Sequence, residues 1–298
     1  MPYTEIKKKF EQRYRENISA SEITTYKTGG NIDLLVYPNN TEELLWLFKN
    51  IKAIKAKYFI IGAGSNILIS DKGFKGILIN LKNINFIKKE NDTIEAGAGV
   101  LWDNFIEFSV ENSLSGLEKT SHIPGTIGGA VRMNAGAFNQ ETFDCLERFM
   151  VLNTENLKIE ELHKENISYS YRYVSGIEKF LIISAKFKFS KGKKEELKKI
   201  REEIIRKRKE KQPLDYPSAG SVFKRPKGDY ASRLIDICGL KGTRIGGAMV
   251  SEKHAGFIIN YDNATSTDIY KLILKVKDEV YKKTGISLEL EQILVGEF

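Results

Sequence analysis

Apolar positions recur along this chain with two different periods, and each change of period marks an element. After Asn40, with Glu43 three residues on in the manner of a capping box, Leu44, Leu45, Phe48 and Ile51 form a stripe at helical spacing. The run Tyr58-Phe59-Ile60-Ile61 reads as a strand and stops in Gly62-Ala63-Gly64-Ser65-Asn66. Short β-rich runs follow from Ile77 and from Thr93. KFLIISAKFKFS, Lys179 to Ser190, predicts a strand apolar on both faces at first and alternating later, as a strand inside a sheet should be. The next stretch, KKEELKKIREEIIRKRKEK, interleaves acids and bases at i,i+3 and i,i+4 spacing. That predicts a solvated linker helix closed by Pro213 and Pro217. Beyond Ser218 the clearest helix starts near Thr267, with Ile269, Leu272, Ile273, Val276 and Val280 on one face and Gly285 as its stop. No internal repeat interrupts this order, and a domain boundary is expected within residues 191–217.

Composition narrows the class. A chain of 298 residues can bury two cores, and 41% hydrophobic with 29% charged residues is a globular balance. No apolar run approaches the ~18–20 residues that a membrane span needs. The first residues, MPYTEIKKKFEQRYREN, are too charged for the apolar core of a signal peptide. With only Cys145 and Cys238, neither a disulfide framework nor a metal site is expected, and two small core thiols suit a reducing, cytoplasmic setting. The net charge of +8 does not predict nucleic-acid binding. Much of the excess lies on the one acid-interleaved helix, and no helix-turn-helix or RNA-binding aromatic motif accompanies it. A positive field does suit a small anionic substrate such as a nucleotide diphosphate.

Glycine loops supply the first chemical signal. Gly62-Ala63-Gly64 follows a strand as a phosphate loop would, yet it lacks a Rossmann fingerprint, since Ile67 stands where the third glycine belongs. Gly97-Ala98-Gly99 ends a second strand, and IPGTIGGAVRMNAGA carries Gly125, Gly128, Gly129 and Gly136 among small or apolar neighbours. Glycines in such a setting let main-chain N–H groups approach a bulky, partly anionic ligand. A set of tight β-turns in a compact domain is the competing reading.

These loops belong to a longer order of motifs: TTYKTGG (Thr24 to Gly30), IGAGSNILISD (Ile61 to Asp71), AGAG (Ala96 to Gly99), IPGTIGGAVRMNAGAF (Ile123 to Phe138), YSYR (Tyr169 to Arg172), PSAGSVFKRP (Pro217 to Pro226), GLKGTRIGGAMVSEKHAGFIIN (Gly239 to Asn260) and LELE (Leu288 to Glu291). In content and sequence they closely resemble the UDP-N-acetylenolpyruvoylglucosamine reductases, from about Ile23 to Gly296. The resemblance implies an α+β chain: a vanillyl-alcohol-oxidase-type FAD-binding domain over residues 23–190, after an N-terminal segment 1–22. The linker helix at 191–217 would then lead to a smaller α+β substrate-binding domain at 218–298. It further implies reduction of UDP-N-acetylglucosamine enolpyruvate to UDP-N-acetylmuramate with NADPH through non-covalent FAD. That is a step of bacterial peptidoglycan synthesis, and so of cell-wall biogenesis, cell shape and division. A cytoplasmic monomer without nucleic-acid or membrane partners is the accompanying expectation. Few residues separate Arg172 from the strand at Lys179, so the chain resembles the form lacking the tyrosine-loop insertion.

Site residues carry over by motif. The resemblance assigns Arg172 to the charge that develops on the substrate's carboxylate, and its planar fork suits that task. Ser221 matches the proton donor, with Lys224 or a water assisting, and Glu291 matches a glutamate that shares in proton transfer or holds the intermediate. Which of Ser221 and Glu291 is the immediate donor stays open, and Glu289 would share a strand face with Glu291. Gly62, Ala63, Gly64, Ser65, Asn66, Pro124, Gly125, Thr126, Gly128, Gly129, Asn134 and Gly136 would line FAD. Tyr171, Lys211, Lys224, Arg225 and His254 are the candidates for the UDP-sugar, although His254 could equally be a satisfied core histidine. Two departures from the family pattern stand out: His122 before Ile123-Pro124-Gly125, and Asn139 and Gln140 where glycines are usual. An oxygen-using oxidase of the same fold and a colourless RNA-binding module are the rival functions.

Overall fold

The computed structural model describes residues 3–298 and divides into two compact units, neither of them a continuous stretch. The first holds the N-terminal residues through Arg15, Leu34–Ala63 and Gly76–Lys207. The second holds Glu16–Asp33, Gly64–Lys75 and Arg208–Phe298. The expected FAD-binding domain, residues 23–190, is one unbroken stretch, and the two units cut across it. Segment 64–75 joins the second unit through Ile67–Ile69, which pairs in parallel with Ile293–Val295, and segment 16–33 through bonds of Tyr26 to Gln292 and of Thr28 to Ala264, partners more than two hundred residues away that no local pattern announces.

In the first unit a five-stranded antiparallel sheet runs in the order Ile159–His163, Leu146–Asn153, Phe180–Lys188, Thr93–Gly97, Ile87–Glu90. The predicted two-faced strand is its centre, and Phe180 to Ala185 are all buried. The helix Trp102–Glu111 lays Trp102 and Phe105 on Phe187, with ring centroids 6.2 and 4.7 Å away. Asn40 caps the helix Thr41–Ala53 by accepting from the Glu43 N–H at 2.9 Å. The return arm of the predicted capping box is absent. The Glu43 carboxylate instead accepts from the Asn39 N–H at 2.8 Å and from the Arg13 guanidinium, a stronger, charged partner. The buried stripe is Leu44, Leu47, Phe48 and Ile51, so Leu47 takes the place expected of Leu45, as i, i+3, i+4, i+7 spacing requires.

The second unit is built on the helix Ser266–Thr284. Thr265 and Asp268 form its capping box, Gly285 ends it, and Ile269, Leu272, Ile273, Val276 and Val280 are buried as their spacing predicts. Against it pack the antiparallel strands Arg244–Ile245, Ala248–Val250 and Ile258–Asn260 and the helix Ala231–Ile237. The Asp71 carboxylate accepts from the Ser266 and Thr267 N–H groups, both at 2.8 Å, placing negative charge at the helix's positive end. The charged helix Lys194–Lys211 buries only Leu197, Ile204 and Arg208. Among the described residues no helix is long and apolar enough to cross a membrane.

Candidate functional site

In the first unit the glycine loops stack on one another. The Gly62 carbonyl accepts from Asn80 Nδ2 at 3.0 Å, and a Cβ on Gly62 would stand 2.5 Å from Thr126 Oγ1. Thr126 caps the short helix Ile127–Met133 through the Gly129 N–H. That turn is seated on the middle loop: Gly128 N–H donates to Ala98 O at 3.0 Å and Ile127 N–H to Val100 O at 2.9 Å. The Gly125 carbonyl accepts from Trp102 N–H at 3.0 Å, beside an exposed Pro124. Gly97 and Gly99 press so closely on the carbonyls of Ile84 and Leu81 that no side chain could fit. The middle loop is therefore a platform whose glycines the protein's own packing requires. Gly129 differs, because a Cβ there would meet nothing nearer than Thr126 Oγ1 at 3.7 Å. Nothing in the protein demands that glycine, which fits a face kept clear for a flat, bulky ligand.

Arg172 lies in the two-residue turn between Tyr169–Ser170 and Tyr173–Val174, in the left-handed region at φ 55°. Its guanidinium donates to the carbonyls of Asn134 (3.2 Å) and Gly136 (2.7 Å) and lies 4.8 Å from the centre of the Tyr171 ring. Two diverging bonds and a ring under one planar head fix its direction in a way no lysine could reproduce. Asn134 is fully buried and caps the helix in the left-handed conformation. Its Nδ2 donates to Glu141 Oε2 (2.7 Å) and Ser170 O (3.1 Å), while Oδ1 accepts from Phe143 N–H (3.1 Å). The amide is thus committed within the protein. Asn134, expected to line FAD, uses its side chain to brace the hairpin that carries Arg172.

The two departures have local explanations. Gly136–Ala137 and Gln140–Glu141 form a hairpin whose turn residues, Phe138 and Asn139, both have positive φ. Asparagine tolerates that conformation, so Asn139 can replace a glycine there. Gln140 donates to Glu118 Oε1 at 3.3 Å and accepts from Lys119 N–H at 2.7 Å, tying the hairpin down. His122 donates its backbone N–H to Asp103 at 2.6 Å, and Arg201 grips the same carboxylate at 2.7 and 3.0 Å. Burial raises the Asp103 pKa, but Arg201 and the His122 N–H outweigh it and hold the carboxyl below its usual range. Burial pushes the Cys145 thiol up to about 12, the behaviour of a core residue.

In the second unit, the segment that starts at Ser221 pairs through its backbone with the segment of Glu289 and Glu291. Residues 221–224 run between two neighbours: Ser221 bridges Phe257, and Val222 N–H donates to Gly256 O at 2.9 Å. On the other side Phe223 bridges Leu290, and Glu291 N–H donates to Val222 O at 2.9 Å. Ser221 itself is exposed. Lys224 Nζ lies 2.5 Å from Glu289 Oε1, so the lysine expected to assist Ser221 is paired with the neighbouring strand's carboxylate. The Gly64 carbonyl accepts from the Thr25 N–H (3.1 Å) and hydroxyl (3.3 Å). Ser65 is half-buried, and the Asn66 carbonyl accepts from Ile293 N–H at 3.0 Å while its Nδ2 donates to Glu291 O at 3.3 Å. This loop is pinned through its carbonyls.

The candidates for the UDP-sugar differ in exposure. Tyr171 is exposed beneath the Arg172 head, Arg225 stacks 4.7 Å over the exposed Tyr230 ring, and Lys211 is the exposed last residue of its helix. The His254 ring packs edge-on against Phe257 and its Nδ1 accepts from Gly256 N–H at 3.2 Å. Burial and the nearby Lys241 charge lower its pKa, which keeps it neutral with Nε2 carrying the proton. Sequence reasoning missed Glu141, the brace of Asn134, and Gln292, a buried amide directly after Glu291. The only available signal was a polar residue inside the apolar run around Leu290 and Ile293.

Residues 212–295 match the family described as UDP-N-acetylenolpyruvoylglucosamine reductase, C-terminal domain, and residues 32–159 match an FAD binding domain. The chain is 44% identical over 275 residues to the UDP-N-acetylenolpyruvoylglucosamine reductase of Caldanaerobacter subterraneus subsp. tengcongensis, covering 92% of this chain and 91% of that protein. It is 40% identical to the Clostridium tetani enzyme of the same name, covering 95% and 93%. The crystal structure of UDP-N-acetylenolpyruvylglucosamine reductase from Thermus caldophilus superposes with a TM-score of 0.83 at 32% identity, over 95% of this chain and all of that one.

Proposed function

This chain belongs to the UDP-N-acetylenolpyruvoylglucosamine reductase family, and on that premise we propose how its residues divide the reaction. The enzyme reduces UDP-N-acetylglucosamine enolpyruvate to UDP-N-acetylmuramate with NADPH and FAD, in the supply of peptidoglycan precursors. When bound, FAD would supply the hydride-transfer chemistry that links NADPH to the methylene carbon of the enolpyruvyl double bond. Gly62, Ala63, Gly125, Thr126, Gly128 and Gly129 in the first unit would hold it, and the open face at Gly129 supports that fit. Arg172 offsets the negative charge that builds on the substrate's carboxylate. The observation that carries this reading is its seat on two carbonyls and a ring, in a strained turn that a surface ion pair would not need.

Ser221 delivers the proton to the carbon next to the carboxylate, completing the addition of one hydride and one proton. Glu291, whose backbone N–H donates to Val222 O next to Ser221, is the glutamate that shares in this proton transfer. Tyr171, Lys211, Arg225 and a neutral His254 contact the UDP-sugar, and Lys224 acts through its pairing with Glu289. The reading includes a cytoplasmic monomer with no nucleic-acid or membrane partner. Two buried thiols, Cys145 and Cys238, support the reducing compartment. The test is a visible spectrum of the purified protein before and after NADPH, with and without the enolpyruvyl substrate. A yellow protein bleached by NADPH and restored anaerobically by that substrate supports the reading. A colourless protein, or one restored only by oxygen, refutes it.

A further inference from the structure

Gln292 is 3% exposed, on the segment that carries Glu291. A buried amide costs stability unless its bonds are made, and a leucine would fill such a place without that cost. Its Nε2 donates to the carbonyls of Ala219 (3.0 Å) and Gly220 (3.4 Å), the two residues before Ser221. Gly220 has φ 75°, so the chain turns sharply there and the hydroxyl's direction depends on how that turn is held. The Tyr26 hydroxyl, itself fully buried, donates to Gln292 Oε1 at 3.0 Å. Burial keeps that phenol protonated far above the physiological range, and a phenol that donates to Oε1 leaves Nε2 aimed at the turn. Two residues before Ala219, Pro217 O accepts from Asn260 N–H at 2.9 Å, and Asn260 Nδ2 donates to Tyr26 O at 3.0 Å. The turn is therefore gripped at residues 217, 219 and 220 by side chains and backbone that converge on Tyr26.

We propose that Gln292, oriented by Tyr26, is a positioning residue for Ser221: its amide fixes the Ala219–Gly220 turn and so aims the serine hydroxyl at the carbon it protonates. The inference rests on the reading of Ser221 as proton donor, and its test keeps the two apart.

Holoenzymes carrying Gln292→Leu, Tyr26→Phe, both together, and Ser221→Ala are compared with the parent. Stopped-flow absorbance follows bleaching by NADPH and then recovery with enolpyruvyl substrate, and flavin content and melting temperature are measured alongside. Gln292→Leu should keep its flavin and bleach at the parental rate. Its recovery should slow about 10- to 100-fold, the cost of misplacing a reacting group by a fraction of an ångström to one ångström. In steady state kcat should fall while KM for the enolpyruvyl substrate holds. Tyr26→Phe removes one hydrogen bond and should slow recovery about fivefold. The double variant should be no slower than Gln292→Leu alone, because the two act in series. Parental recovery in Gln292→Leu beside a slow Ser221→Ala overturns the inference and leaves the reading of Ser221 standing. Parental recovery in Ser221→Ala overturns both. Bleaching and recovery that fall together, or lost flavin, make Gln292 merely structural and overturn the inference. Should Gln292→Leu fail to fold, Tyr26→Phe decides by the same criteria.

Discussion

Replacing Asn134 with alanine removes three hydrogen bonds from a side chain with no exposed surface. Each is worth about 1 kcal/mol net, and the buried Phe143 N–H loses its partner. The residue also caps its helix at φ 41°, ψ 55°, where asparagine is tolerated and alanine is disfavoured. Together these give a loss of about 3–5 kcal/mol. The assay is equilibrium urea unfolding followed by circular dichroism, with flavin content measured on the same preparation. The midpoint should drop sharply while flavin released per folded chain stays at the parental value. Because Nδ2 also holds Ser170 O in the Arg172 hairpin, substrate-driven flavin recovery should slow more than NADPH bleaching does. An unchanged urea midpoint with stripped flavin would refute this reasoning and make Asn134 a direct cofactor ligand.

Ser221→Ala should leave NADPH bleaching intact and slow substrate-driven recovery by about 100- to 10,000-fold, the usual cost of losing a positioned acid. Wild-type recovery would transfer the role to Glu291. A Cβ at Gly129 meets nothing closer than Thr126 Oγ1 at 3.7 Å, so Gly129→Val should strip flavin while leaving the far-ultraviolet circular dichroism and the second unit's core unchanged, and normal flavin content would make the loop structural. Arg201→Met should destabilise the fold at pH 7 by removing the partner that holds Asp103 ionised. Asp103's folded pKa is depressed, so its contribution is present above the ordinary carboxylate range and lost as pH falls through the depressed value. Urea midpoints of parent and variant should therefore differ at pH 7 and converge toward pH 3, and a pH-independent gap would sink the ion-pair account.

Much of this protein was legible in its sequence because the signals were local. The stripe from Ile269 to Val280, the cap at Thr265, the two-faced strand at Phe180 and the stop at Gly285 each follow from spacing within one element. The order of its motifs carried the family, and with it the cofactor and the reaction. What stayed hidden depends on groups far apart in the chain: Tyr26 reaches Gln292 across 266 positions, and Asn134 reaches Ser170 across 36. A side chain's period reports which face it occupies, not which carbonyl it will meet there. The sequence therefore determined which residue types are present and which faces they share. Only the tertiary structure decided that Asn134 is a brace, that the glycines at 97 and 99 form a platform, that Lys224 is spent on Glu289, and that Gln292 grips the turn before Ser221. The physical reason is that a buried polar group must be satisfied by whatever partner packing brings within about 3 Å, and that partner is chosen by the fold.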